Sequence, residues 1–192
     1  NQNLNKDKII IIDFGSQVTK LIARRIREYS VLSEVLTLKD LKKINIFHNI
    51  KGIILSGGPS TVTKKSFPKI PNEVFNSNIP ILGICYGLQL IIKHFKGRVK
   101  ENIKKREFGR AILIEKKISL LTKNFFSKNK SVVWMSHQDS VHKLASGFSK
   151  IASTSKSAMT IVENKKRKIY GVQFHPEVTH TNKGSIILKN FI

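Results

Sequence analysis

The 192-residue sequence predicts an α/β fold, a doubly wound, mostly parallel sheet with added antiparallel strands. Three observations predict it. The first half alternates short apolar runs with stretches of helical periodicity, the texture changes after Gly97 to short alternating runs, and two of the early apolar runs end in glycine-rich turns, "SGGPS" and "GICYG". At 40% hydrophobic residues the chain has enough apolar material for one well-cored domain and too little length for two. Residues 8–192 are therefore read as a single domain, preceded by a polar arm at 1–7.

Each element follows from its own pattern. "KIIIIDF" (8–14) is a continuous apolar run, as a strand buried on both faces should be, and residues 17–29 place Val18, Leu21, Ile22 and Ile26 at helical spacing. "SVLSEVL" (30–36) alternates into a second strand, "KGIILSGGPS" (51–60) is a third, and "IPILGIC" (79–85) is a fourth that runs into the helix "GLQLIIKHF" (87–95). Parallel βαβ units are implied. "GRAILIE", "SVVWMSH", "FSKIASTS", "AMTIVEN" and "KIYGVQFH" then read as shorter strands, and "GSIILKNFI" as a closing helix. There is no internal repeat and no low-complexity linker.

Composition narrows the function. The net charge is +23, from 35 Lys and Arg against 12 Asp and Glu, but the lysines are scattered through nearly every loop, and no basic stretch is interleaved with stacking aromatics. Charge spread over solvated faces implies weak polyanion binding and no specific nucleic-acid site. One cysteine excludes an intrachain disulfide, and no apolar stretch reaches the roughly 18 residues of a membrane span. A soluble, cytoplasmic protein is expected.

Chemistry concentrates at that cysteine. Cys85 stands in Gly83-Ile84-Cys85-Tyr86-Gly87, where a strand gives way to a helix, and in an open α/β sheet the reactive site lies at the carboxyl ends of the strands. The spacing is that of a nucleophile elbow, with the glycines expected to let the chain turn sharply. The helix N-terminus favours thiolate, and the backbone N–H of Tyr86 can face an oxyanion. From this motif alone a buried, inert cysteine between two glycines is an equal alternative. "FHPE" tips the balance: His175 closes a strand of the same sheet, and Glu177, two residues on across Pro176, shares its face and can fix its tautomer. Nucleophile, base and orienter then occur in the order Cys, His, Glu, which is not the order of α/β-hydrolases. The pair Gly57-Gly58 after the third strand can supply a second oxyanion donor, or be a simple turn.

These segments, with "IIDFGSQVTKLIARRIRE", "GIILSGGPS", "LGICYGLQL", "VVWMSHQDSV" and "KIYGVQFHPEVTHT", resemble the class I (triad-type) glutamine amidotransferases, and among them the amidotransferase domains of GMP synthases. The resemblance runs from Ile9 to the end and implies a flavodoxin-like fold. It implies a glutaminase that forms a γ-glutamyl thioester on Cys85, with His175 as general base and acid, Glu177 as orienter and the N–H groups of Gly58 and Tyr86 as oxyanion hole. It further implies glutamine binding by Gly57, Gln89 and Ser136, His137, Gln138 and Asp139. Gln138 departs from the pattern, since bacterial relatives carry glycine there.

The domain itself is expected to use no cofactor and no metal. ATP and Mg would be used by a partner, the GMP synthase ATP-pyrophosphatase domain or subunit, which is not in this chain and which would take ammonia from L-glutamine to aminate xanthosine monophosphate. The loops expected to meet that partner are "GPSTVTKKS", "SHQDSVHK" and "HPEVTHTNK", with Lys64, Lys65, Lys143 and Lys183. A γ-glutamyl hydrolase-type cysteine hydrolase of the same fold is the alternative enzyme. A non-enzymatic scaffold or nucleic-acid protein would leave the triad without a purpose.

Overall fold

Four consecutive isoleucines, Ile9 to Ile12, have no polar face to offer water, and all four are fully buried in an inner strand of a sheet covered on both sides. The computed structural model describes residues 7–43, 49–58, 67–101, 107–137, 139–178, 181 and 183–192. Along the chain the elements are β1 (Lys8–Asp13), α1 (Thr19–Glu28), β2 (Leu32–Thr37), α2 (Leu38–Lys43), β3 (Ile50–Leu55), α3 (Asn72–Phe75), β4 (Ile81–Ile84) and α4 (Tyr86–His94). There follow β5 (Arg98–Glu101), β6 (Glu107–Glu115), a 3-10 turn (Leu120–Thr122), β7 (Lys130–His137), β8 (Asp139–Lys143), β9 (Ser149–Ser153), β10 (Ile161–Asn164), β11 (Ile169–Val172) and α5 (Gly184–Phe191).

Nine strands form one sheet in the order β2-β1-β3-β4-β11-β10-β9-β6-β7. The half from β2 to β11 is parallel and the half from β11 to β7 antiparallel, so β11 is the seam between them. Alternation along β1 feeds two cores. Ile9 and Ile11 meet Ile22 and Ile26 of α1 and Ile187 and Leu188 of α5 on one side, and Ile10 and Ile12 meet Leu41, Val74 and the apolar face of α4 on the other. The expected doubly wound arrangement is present, with the added antiparallel strands.

Close approach of α4 to the sheet is what the glycines permit. A Cβ on Gly83 would lie 2.7 Å from Gly87 C and Leu88 N, and one on Gly87 would lie 2.0 Å from Leu55 O, inside any real contact. Gly171 of β11 likewise makes room for Leu88, 2.3 Å from its would-be Cβ. The turn itself falls to another residue. Among the described glycines only Gly15, Gly109 and Gly147 have positive φ, whereas Cys85 stands at φ 53°. The sequence expectation that Gly83 and Gly87 bend the elbow is thus corrected: they seat the helix, and the cysteine carries the bend.

Four elements were not expected from the sequence. Helices α2 and α3 are short, with six and four residues. Strands β5 and β8 form a separate antiparallel ribbon that packs Val99 and Val141 against the α4 side. The "SHQDSVHK" segment is therefore the end of β7 followed by β8, not a strand-end loop. It also leads Lys143 away from the nucleophile: the carbonyl of Lys143 sits at Gly97, beyond the C-terminal end of α4, about 14 Å from Cys85 at 1.5 Å per residue over nine residues. Lys64 and Lys65 lie outside the described residues.

Gly87→Ala should destabilise the fold by about 3 kcal/mol or more, since α4 must lift off β3 to accept one methyl group. Urea unfolding checks this against Gly109→Ala, whose Cβ would make only an ordinary contact with Trp134 Cη2 at 4.0 Å and which suffers from its φ of 97°; the second change should cost about 1–2 kcal/mol.

Candidate active site

Cys85 occupies the one residue between the end of β4 and the start of α4. Its N–H still donates to Val172 O of β11 at 2.8 Å as if the strand continued, while its carbonyl already accepts the N–H of Gln89 at 3.2 Å as the N-cap of α4. Serving both elements forces φ 53° and ψ −106°, a conformation that costs a non-glycine residue about 1–3 kcal/mol. The side chain is buried at 7% exposure and points into a ring of polar groups. The thiol faces Ser136 O at 3.6 Å, Gln173 Nε2 donates to Sγ at 3.4 Å, and His175 is hydrogen-bonded to the same sulfur.

The base arrives by strand register. β11 pairs in parallel with β4, Gly171 opposite Gly83 and Val172 opposite Ile84, so the next residue, Gln173, falls beside Cys85. Alternation then returns His175 to the same face as Gln173, with Phe174 between them buried in the core on the α1 and α5 side. His175 lies three residues past the end of β11 rather than closing that strand. It is held instead by β7 and by Thr181: its N–H donates to Trp134 O at 3.3 Å, and Thr181 Oγ1 donates to His175 O at 2.7 Å while accepting the N–H of Trp134 at 3.0 Å. Glu177 Oε1 sits 2.8 Å from His175 Nδ1, with the carboxylate fully buried, and Arg25 Nε donates to Glu177 O at 3.4 Å.

The electrostatics follow from this packing. Burial pushes the His175 pKa down, but hydrogen bonds to Cys85 and Glu177 and the charges of both outweigh it and raise the value to about 10. At neutral pH the ring is an imidazolium, with Nδ1 turned to the carboxylate and the opposite edge turned to the sulfur.

The other candidates gather around this core to different degrees. A Cβ on Gly57 would lie 3.3 Å from His175 Cε1 and 3.8 Å from Cys85 Cβ, and one on Gly58 would lie 2.9 Å from Phe14 O and 3.2 Å from Tyr86 Cδ1. The glycine pair therefore lines the space in front of the thiol. Behind it, Ser56 Oγ bonds Ile12 O at 2.8 Å and Thr19 Oγ1 at 3.1 Å, and Asp13 Oδ1 accepts from Gly15 N at 2.8 Å and lies 3.1 Å from Thr19 Oγ1. "DFGS" is thus a polar clasp between the ends of β1 and β3. Gln89 is buried, and its Nε2 donates to Asp139 O at 3.2 Å and lies 3.5 Å from Gln173 Oε1. His137 Nδ1 meets the same Asp139 carbonyl at 2.7 Å. Burial and Glu101 raise the Asp139 pKa against a smaller opposing effect of His137. Gln138, Thr179 and His180 fall outside the described residues.

The family model for class-I glutamine amidotransferases matches residues 10–192. The chain belongs to that family. The chain is 48% identical over 96% of its length to GMP synthase [glutamine-hydrolyzing] of Prochlorococcus marinus strain MIT 9312, and 46% identical over 98% of its length to that of Borreliella burgdorferi strain N40. It spans only 34% and 36% of those two relatives. Among solved structures, a candidate GMP synthase subunit of Thermoplasma acidophilum superposes with a TM-score of 0.79 at 29% identity, over 97% of this chain and 92% of that one. A glutamine amidotransferase of Thermotoga maritima shares the fold, with a TM-score of 0.74 at 19% identity, over 90% of this chain and 76% of that one.

In this amidotransferase two residues at the site escaped the reading of the sequence. Gln173 had a signal, a polar side chain inside a buried strand at i−2 from His175, where strand alternation puts both on one face. Thr181 had none beyond its place in "THT", because its role depends on β7 lying across from it. Thr181→Val strips a donor from His175 O and an acceptor from Trp134 N–H, and should cost about 1–3 kcal/mol by urea unfolding, with Thr181→Ser recovering most of it. The pH dependence of stability tests the pair beside it. A His175 pKa raised from 6.5 to about 10 contributes stability that is complete below about pH 6.5 and is lost as pH rises through about 10. Glu177→Gln removes two of the raising interactions, so the gap in unfolding free energy between wild type and variant should be widest near pH 6 and narrow steadily toward pH 10.

Proposed function

We propose that Cys85, His175 and Glu177 form the catalytic triad of a glutaminase, and that the ammonia it releases serves the amination of xanthosine monophosphate in a GMP synthase. The observation that carries the first part is a cysteine on a strained strand-to-helix turn, hydrogen-bonded to a histidine whose far nitrogen lies 2.8 Å from a buried carboxylate.

The chemistry runs as nucleophilic acyl transfer. The Cys85 thiolate attacks the side-chain amide carbon of glutamine, forming the C–S bond and placing negative charge on the amide oxygen. Backbone N–H groups of Gly58 and Tyr86 face that oxyanion, the second reinforced by the N-terminus of α4. His175 gives its proton from Nε2 to the amide nitrogen, the C–N bond breaks, ammonia leaves, and a γ-glutamyl thioester remains. Neutral His175 then takes a proton from water as the hydroxide adds to the thioester, and collapse releases glutamate and restores the thiolate–imidazolium pair. Glu177 keeps Nδ1–H toward itself throughout, so Nε2 always faces the reacting atoms. Glutamine would lie against Gly57 and the Ser136 to Asp139 backbone, with Gln89 behind them.

Ammonia released into neutral water is protonated and ceases to be a nucleophile, so the reaction is useful when docked to the enzyme that consumes it. The names of the relatives, GMP synthase [glutamine-hydrolyzing], support a synthase part as that partner, and the ATP-pyrophosphatase with its ATP and Mg is proposed to fill it.

Steady-state ammonia release is the test. Cys85→Ala should abolish release from glutamine with the far-UV spectrum unchanged, and γ-glutamyl peptides should be poor substrates for the wild type. Activity retained in that variant would overturn the triad, and preference for the peptides would favour a γ-glutamyl hydrolase. Adding a GMP synthetase domain with ATP and xanthosine monophosphate should raise turnover at least about tenfold, roughly 1.4 kcal/mol in the barrier.

A further inference from the structure

We propose that Gln173 acts on the nucleophile itself: its side-chain amide donates a hydrogen bond that holds the Cys85 sulfur as a thiolate, and Gln89 aims that amide. The inference rests on the triad reading above and assigns to it a further group in contact with the reacting atom.

The contact is built by the fold. Gln173 follows β11 at the position that strand register places beside Cys85, and its own N–H donates to Thr160 O of the loop before β10 at 2.8 Å, which fixes its backbone. The residue is fully buried, and Nε2 lies 3.4 Å from Sγ. A buried amide N–H needs an acceptor, and a neutral thiol is a poor one, whereas a thiolate accepts a charge-assisted bond made stronger by the absence of competing water. The orientation of the amide is also decided locally. Gln89 Nε2, anchored on Asp139 O, faces Gln173 Oε1 at 3.5 Å, which turns the oxygen toward Gln89 and the nitrogen toward the sulfur.

Two donors then converge on one sulfur from the same face: the His175 ring and the Gln173 amide. Ser136 O, 3.6 Å away, accepts from the sulfur only when it carries a proton. When His175 gives its proton to the leaving nitrogen and becomes neutral, it no longer stabilises the sulfur by charge. Gln173 is the donor that stays, and it again receives the thiolate when the thioester collapses.

Because the chain has one cysteine, alkylation by iodoacetamide reports on Cys85 alone. The rate is measured against pH in the wild type and in Gln173→Met, which keeps the length and loses the donor. The expected result is a rise of about one unit in the apparent pKa of alkylation, about a tenfold shift in the thiol–thiolate equilibrium. Glutaminase kcat should fall about tenfold with KM little changed, since the group touches sulfur and not substrate. Gln89→Met should move the alkylation profile the same way by less. An unshifted profile in folded Gln173→Met overturns the proposal. Should that variant fail to fold, the wild type decides by NMR: the Gln173 side-chain amide protons must move with the Cys85 titration and on alkylation, and protons that stay fixed overturn it equally. Absence of ammonia release from glutamine by the wild type would sink the substrate reading, while the alkylation profile would still judge Gln173.

Discussion

The depth at which α4 seats against β3 and β4 sets the geometry of the site. With no Cβ on Gly83 or Gly87 the helix backbone comes into contact with Leu55 O and with the strand beneath it. The chain then has a single residue in which to leave β4 and enter α4, and that residue is Cys85. Its strained φ is a consequence of the close seating and not of flexible neighbours. The same seating brings Gln89, one turn along, over the end of β11, and places Tyr86 against Gly58. A helix standing one methyl group higher would have relaxed Cys85 into an ordinary conformation and withdrawn the thiol from its partners.

The opposite wall of the site is organised by different means. His175 lies beyond regular structure, so no strand ladder fixes it. β7 and Thr181 replace the ladder, with Trp134 offering both its N–H and its carbonyl to that short segment. The imidazole is then clamped between the buried carboxyl group of Glu177 and the sulfur, hydrogen-bonded to each.

Much of this was legible in the sequence, for reasons specific to each part. The parallel half announced itself because strands covered on both faces must be apolar throughout, as in Ile9 to Ile12, and the meeting of Cys85, His175 and Glu177 because cysteine and H-P-E are types with few packing uses at strand ends. Membership in the amidotransferase family confirms the reading of fold and family. The ribbon of β5 and β8 was not legible: each strand commits one apolar side chain, Val99 or Val141, to the core, too few to form a period. The glycines were recognised but assigned the wrong task, since spacing cannot tell a bend from a close approach. Gln173 was passed over because an amide in a strand looks like a packing compromise until the neighbouring strand is in register. Lys143 was expected on a strand-end loop and lies instead on β8, in the separate ribbon with β5.

The position of β11 at the seam has a consequence for how the chain acquires its chemistry. The strand beside β4 is separated from it in sequence by the entire antiparallel extension, so the contact between Cys85 and His175 is long-range in sequence and carries a loop-closure entropy. On a chain emerging from the ribosome, β1 to β4 and α4 are available to fold while His175 is still to be made. During that interval Cys85 has no imidazolium, no Gln173 amide and no Thr181 brace behind its partner. Splitting the site across the seam therefore ties its completion to the last strand, and the cluster around Cys85 closes only when β11 takes its place in the middle of the sheet.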